Sequence, residues 1–293
     1  MLKKNDVFMA ILFLLILIVS IAMFCVNRFW YRFPGLFYFE PSFLGCAIFL
    51  FMVYFGLKLQ FGLSHDLGIL KMIRAANLYA GIMVVILFAT SAIQYTPFSL
   101  IDKKILMIEH YFHVDLQASI EWLGKKGTIR SVVNAIYDSL TYQLIIIPLW
   151  VLCWRKYETL YNFYCLALTS WLIGSLIYYF FPTAGPASVI DSSFFSESQR
   201  ATGLKFWQLH HYIQPVTADG GLIAMPSFHV IWAWLCVYLL RPWPVLYVLC
   251  GAMNIILVAA CVFLGWHYFL DVVGSAITLF ISHYLLRVCY KRP

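Results

Sequence analysis

Apolar and polar positions divide this chain into eight long hydrophobic runs separated by short polar punctuation. The runs fall at about 7–26, 43–60, 73–96, 133–153, 160–181, 223–240, 245–264 and 267–289. Each approaches the roughly 20 residues that a helix needs to cross the hydrocarbon core of a bilayer. Strict two-residue alternation over segments of about ten residues, the mark of a membrane β-barrel, is missing. The pattern therefore predicts an all-α, polytopic membrane helix bundle with about eight transmembrane helices. Three regions follow: N-terminal transmembrane helices at 1–97, an outer interfacial amphipathic segment at 98–130, and a transmembrane core at 131–293.

The polar interruptions are informative in themselves. Within 98–130, Ile101, Ile105, Ile108, Phe112, Leu116 and Ile120 recur at three- and four-residue steps, opposite Lys103, Lys104, Glu109 and Asp115. That spacing predicts one amphipathic helix lying in the membrane interface. His110 and His113 would share a face of it, but no third ligand at recognisable spacing accompanies them, so an interfacial role is the better reading. Gly124-Lys125-Lys126-Gly127 breaks the segment. The fourth crossing then opens with a polar rim of Asn134, Asp138, Thr141 and Gln143, interleaved with Tyr137 and Tyr142. A long loop at about 185–222 carries Ser, Gly, Thr and Asp together with Arg200, Lys205, His210 and His211. Its composition suits a lid over a neighbouring site and an ordinary connector equally well.

Composition supports the membrane reading. The chain is 63% hydrophobic and 11% charged, against about 25% charged residues in a soluble domain. Lys3, Lys4, Lys58, Lys71, Arg74, Arg155, Lys156, Arg241, Arg287, Lys291 and Arg292 fall beside helix ends or in short turns of one side. By the positive-inside rule that side is cytoplasmic and holds both termini. The protein is thus expected in the cytoplasmic membrane, and its net charge of +7 reports topology rather than nucleic-acid binding. Lys3 and Lys4 before an apolar run with Ser20-Ile21-Ala22 resemble a secretory signal. The run continues through Cys25, which favours an uncleaved first helix. The eight cysteines are scattered without a C-x-x-C pair and read as small packing residues. Cys25 and Cys46 are the one pair that could meet outside.

Two short polar signatures stand out from this apolar background, Ala224-Met225-Pro226-Ser227-Phe228-His229 and Gly265-Trp266-His267-Tyr268-Phe269-Leu270-Asp271. Two crossings joined by the turn Arg241-Pro242-Trp243-Pro244 return the second to the membrane face of the first. Ionisable residues inside a membrane are functional candidates by default. Pro226 suits the first turn of a helix, where free N–H groups and the Ser227 hydroxyl offer an anion site. His267 and Asp271, four apart, stack on one helix face. A carboxylate bonded to one ring nitrogen orients an imidazole and leaves the other nitrogen as nucleophile or base. His229 supplies a second proton-transfer group. Phosphoryl transfer through a phosphohistidine fits these parts, and a proton relay in a transporter uses the same groups.

At these residues the chain resembles the type-2 phosphatidic acid phosphatase superfamily, and within it the branch that includes inositolphosphorylceramide synthases. The resemblance rests on A-M-P-S-x-H at 224–229, H-Y-x-x-D at 267–271, the Phe181-Pro182-x-Ala184-x-Pro186 turn and Asn134-x-x-Tyr137. It covers roughly 130–289. It implies His267 as nucleophile, Asp271 as its orienting partner, His229 as the acid that protonates the leaving oxygen, and Ser227 as a phosphate ligand. Two departures stand beside it. The superfamily's Lys-x6-Arg-Pro block is absent, with Cys261 where an Arg precedes the nucleophilic His, and Phe228 replaces the glycine of P-S-G-H.

The sequence-based expectation is therefore a lipid-phosphate phosphatase with its active site on the extracytoplasmic face. A headgroup phosphotransferase with an alcohol acceptor such as inositol is the close alternative, and a proton-coupled transporter is the third. Substrate would be a phospholipid or lipid phosphate, with membrane lipids as surroundings, no nucleic-acid partner, no cofactor and no metal. Arg200 and Lys205 are the expected cationic phosphate ligands, with Arg200 folding inward over bound substrate; Lys125, Lys126 and Arg130 are more distant candidates.

Overall fold

The computed structural model describes residues 4–34, 48, 51–52, 54–55, 68–217 and 224–290. Most of the second expected crossing, 43–60, lies outside the described residues, as do His65, Asp66 and Cys46. Among the described residues ten bounded α-helices run in order: α1 Lys4–Cys25, α2 Gly68–Ile93, α3 Asp102–Tyr111, α4 Leu116–Gly124, α5 Gly127–Cys153, α6 Tyr157–Phe180, α7 Glu197–His210, α8 Phe228–Leu240, α9 Pro244–Phe263 and α10 Phe269–Leu285. Among the described residues six spans are long and apolar enough to cross a membrane: Val7–Trp30, Gly68–Ile93, Gly127–Cys153, Tyr157–Phe180, Pro244–Phe263 and Phe269–Val288. The protein is a polytopic helical bundle.

Helix α6 is its axis. It is apolar all round, and such a helix is stable only when other helices cover every face. It packs against α1, α2, α5, α8 and α10, and its buried positions run almost without interruption from Leu160 to Trp171. Gly174 lets α8 approach closely: a Cβ there would lie 3.0 Å from both Pro226 Cγ and Phe228 Cζ. One apolar cluster extends from Met9 in α1 to Leu286 beyond α10, so the N-terminal helices share a core with the rest.

Helix α8 is shorter than its apolar run. It begins at Phe228 and has 13 residues, a rise of about 20 Å against a hydrocarbon core of about 30 Å. Pro226 accordingly precedes the Ser227 N-cap and is not in the first helical turn.

The outer segment also differs from the expected single helix. His113 adopts φ +60° and ends α3, while the Asp115 carboxylate accepts a hydrogen bond from Ala118 N at 2.9 Å and starts α4. His113 therefore lies outside the helix that carries His110, and the two do not form an i,i+3 pair. The buried face of α3 runs through Asp102, Ile105 and Glu109, whereas Ile108 and Phe112 are exposed. The expected polar Glu109 is inside and part of the expected apolar stripe is outside. Backbone donors elsewhere in the fold explain the inversion, because a buried carboxylate needs them and lipid favours the exposed apolar side chains. A second, smaller core forms where α3 and α4 meet the 186–196 region, with Ile105, Leu116, Ile120, Ile190 and Phe195 around Tyr268.

Candidate active site

The two signatures meet at the start of α8 and α10. Ser227 caps α8, its hydroxyl accepting from Val230 N at 3.4 Å. Its backbone N–H donates to the Asp271 carbonyl at 3.4 Å. The Ser275 hydroxyl sits 2.9 Å from the Ser227 carbonyl and 2.7 Å from that of Asp271. These bonds stitch the helix ends together, so residues 48 positions apart form one local structure. Ser227 is fully buried, and its hydroxyl meets the Cys261 thiol.

A tight turn delivers His267. Gly265 takes φ +78°, where a side chain would be strained. A Cβ there would also come within 2.6 Å of the Phe195 ring. Trp266 N and His267 N then both donate to the Cys261 carbonyl, at 3.1 and 2.9 Å. One oxygen of Asp271 faces His267 Nδ1 at 3.3 Å and accepts from Tyr268 N at 3.0 Å. The other is buried without a partner.

His229 stands opposite, its ring centroid 5.6 Å from that of His267. An aromatic stack holds it there. Tyr137 lies at 4.6 Å from the His229 ring, nearly parallel, and at 5.6 Å from Trp266 on its other side, within the range of favourable ring contacts. Both histidines line a cavity of about 870 Å³. Met83, Leu87, Leu140 and Leu144 of α2 and α5 contribute apolar lining, while Asp138 and Thr141 of α5 and Ser198 and Thr202 supply polar groups.

Helix α7, inside the 185–222 loop, is thus part of the cavity wall. Ser198, Thr202 and Phe206 face it at four-residue steps. Arg200, about 200° around the helix from Ser198, is exposed and donates to the Ser192 carbonyl at 2.9 Å. Lys205 is completely buried, with Nζ 5.6 Å from the Phe206 ring centre. Arg130 donates to the Phe194 carbonyl, and Lys125 pairs with Glu121 at 4.0 Å on the surface. Ser227, His229, His267 and Asp271 therefore come together. Lys205 lies behind the cavity wall and Arg200 on the outer side of its helix. Among the described residues no three His, Cys, Asp or Glu side chains converge as metal ligands.

Two neighbours of the site escaped the sequence reading. Asp102 accepts from Ala184 N at 3.1 and 3.0 Å, from Gly185 N at 2.9 Å and from the Tyr268 hydroxyl at 2.9 Å. Glu109 accepts from Leu270 N at 2.8 Å. Both are buried. Burial pushes both carboxyls above their ordinary range, and the donated hydrogen bonds oppose that rise. The available signal was their seven-residue spacing, which places them on one face with Ile105 between them.

Comparison with the curated proteins and with the solved structures gave no match. A family model does match, over residues 103–285, a stretch that contains α3 except Asp102, the Phe181–Pro186 turn and both signatures. Since that match spans more than half of the chain, the protein belongs to the PAP2 superfamily.

Proposed function

We propose that this protein is a membrane-embedded lipid-phosphate phosphatase that works through a phosphohistidine on the extracytoplasmic face. One observation carries the reading: a buried carboxylate–imidazole pair, Asp271–His267, faces a second imidazole, His229, across a shared cavity. The apolar lining from α2 and α5 suits the chains of a lipid, and the shortness of α8 supports a His229 below the membrane surface. PAP2 membership supports action on phosphorylated lipids in general.

In this mechanism Asp271 holds the Nδ1–H of His267, leaving Nε2 with its lone pair. Nε2 attacks phosphorus, an N–P bond forms, and the P–O bond to the lipid alcohol breaks. His229 gives its proton to the departing oxygen. Water then attacks the phosphohistidine, with His229 recovering a proton, and phosphate leaves. Charge on the transferring phosphoryl group calls for hydrogen-bond donors and basic side chains; Ser227, fully buried with its N–H given to the Asp271 carbonyl, would have to exchange partners to contribute. Lys205 is the better placed of the two expected cations, because its neighbour Phe206 forms the wall. Arg200 would need to turn inward to take part.

A second reading has its own support. Asp138, Thr141, Ser198 and Thr202 among the lining residues can bind the hydroxyls of an alcohol such as inositol, which would replace water as phosphoryl acceptor. The deciding experiment incubates purified protein with a panel of labelled phospholipids and lipid phosphates, with and without inositol. Released phosphate supports the phosphatase, and a phosphorylated alcohol supports the transferase. Neither product from any substrate would reject both.

A further inference from the structure

Two buried carboxylates that take no part in the proposed chemistry converge on the His267 block from outside the bundle. Asp102 and Glu109 lie two turns apart on the buried face of α3, flanking Ile105. We infer that they are positioning residues, and that α3 is a clamp setting the His267–Asp271 pair against the cavity. The inference rests on the reading of His267 as the reacting group.

Helix α10 explains why such a clamp is needed. The first N–H groups of a helix have no partner within it, and here that turn is anchored by the fully buried Tyr268 and Asp271. Asp271 covers Tyr268 N and Glu109 covers Leu270 N. A carboxylate at a helix N-terminus is also electrostatically favoured. Without Glu109 the turn that carries Asp271 loses an acceptor on its outer side, and the orientation of the imidazole follows Asp271.

Asp102 fixes the other flank. It joins the Tyr268 hydroxyl to Ala184 N and Gly185 N, and Ala184 itself lines the cavity. Gly185, at φ +93°, is so close that a Cβ would sit 3.3 Å from the Trp266 carbonyl. One side chain therefore ties the Phe181–Pro186 turn to the residues flanking His267.

The two carboxylates are built differently, and this makes the inference sharp. Asp102 takes all three donors at Oδ1 and shares the Ala184 N–H with Oδ2, so an asparagine with its oxygen at Oδ1 sets its NH2 against that N–H and weakens the tie to Ala184. Glu109 receives the Leu270 N–H through Oε1, while Oε2 has no partner, so a glutamine can replace it. Asp102→Asn and Glu109→Ala should each lower kcat by about ten- to a hundredfold through misplacement of the reacting group, with KM nearly unchanged. Glu109→Gln should stay near the parent. The same purified variants are read by amide hydrogen exchange. Segment 267–271 should exchange about tenfold faster in Asp102→Asn and Glu109→Ala, the factor expected for one lost hydrogen bond, while 244–260 stays protected.

Parent-like kcat and exchange in Asp102→Asn would overturn the clamp. So would faster exchange in every helix, which marks general loss of fold, or a Glu109→Gln variant as impaired as Glu109→Ala. Should the parent turn over no lipid phosphate, the proposed function falls, and the exchange pattern alone decides whether α3 holds this segment.

Discussion

Asp271 has two tasks, orienting an imidazole and capping a helix, and it performs both with the same oxygen. Asp271→Asn should thus resemble His267→Ala, since the wrong ring tautomer and a disturbed turn both remove the nucleophile. His267→Ala should abolish turnover and any trapped phosphoenzyme together. His229→Ala should cost about 10²–10⁴-fold, the usual range for general acid–base help, and less with a leaving group that needs no proton. Rapid-quench measurement of the phosphoenzyme checks the series. Phosphoenzyme lost in His229→Ala even with an activated leaving group would reverse the two histidine roles. The cations give a second contrast. Lys205→Met should reduce kcat/KM by about a hundredfold or more, the scale of losing a charged donor to a developing phosphoryl charge. Arg200→Ala should change it less than about threefold, the reach of an exposed contact. Steady-state kinetics reversing that order would move the clamp to Arg200. The His267–Asp271 pair was legible from its four-residue spacing, although the two do not share a helix face as expected: His267 precedes the Tyr268 N-cap of α10, and the Asp271 carboxylate reaches back to it over the helix start. Asp102 and Glu109 were not, because their partners are backbone groups more than 80 and 160 residues away.

Helices here share one packed apolar core, and a few polar contacts between them add register that burial of apolar surface, which lipid also satisfies, does not supply. Gln143 of α5 and Asn254 of α9 form a reciprocal amide pair at 3.0 and 2.9 Å, and Asn254 also reaches the Ala233 carbonyl of α8 at 3.2 Å. This ties together three helices that each border the site. Removing one partner leaves a buried amide unpaired, at a cost of about 1–3 kcal/mol. Gln143→Leu and Asn254→Leu should each lower thermal stability in detergent. The double variant should lose less than the sum of the two, since neither amide is then stranded. Strict additivity in a double-mutant cycle would show that the pair contributes nothing as a pair. At this scale the apolar runs located the described long helices to within a few residues. They failed where a short range of the expected crossing was not helical, at 224–227, and where Asp115 divided the 98–130 segment. Hydropathy registers burial in lipid, but not the turn at which a helix begins.

The two ends of the bundle differ in character. Trp150, Trp154 and Trp243 cluster with ring centroids about 6 Å apart, 6.2 Å for Trp150–Trp243 and 6.3 Å for Trp154–Trp243. They bring the α5–α6 turn beside the α8–α9 turn. The Tyr157 hydroxyl reaches the Gly68 carbonyl at 3.5 Å, so α2 starts at the same end. Arg155, Lys156 and Arg241 occupy those tight turns, and Lys71 and Arg74 lie in the first two turns of α2. The tryptophans suit the headgroup zone of a membrane, and basic residues beside helix ends mark the cytoplasmic side. The histidine site and α3, α4 and α7 lie toward the opposite end, which is expected outside. The test uses two introduced cysteines and a membrane-impermeant maleimide, compared with the parent's own labelling. Ser193 is exposed on the loop before α7, beside the buried Ser192, and Lys156 is exposed between α5 and α6. Ser193→Cys should label in intact cells, and Lys156→Cys only after permeabilisation. The reverse pattern would turn the bundle over and put the site in the cytoplasm. Phosphate released from a lipid would then appear inside the cell, where an extracytoplasmic lipid phosphatase could not deliver it.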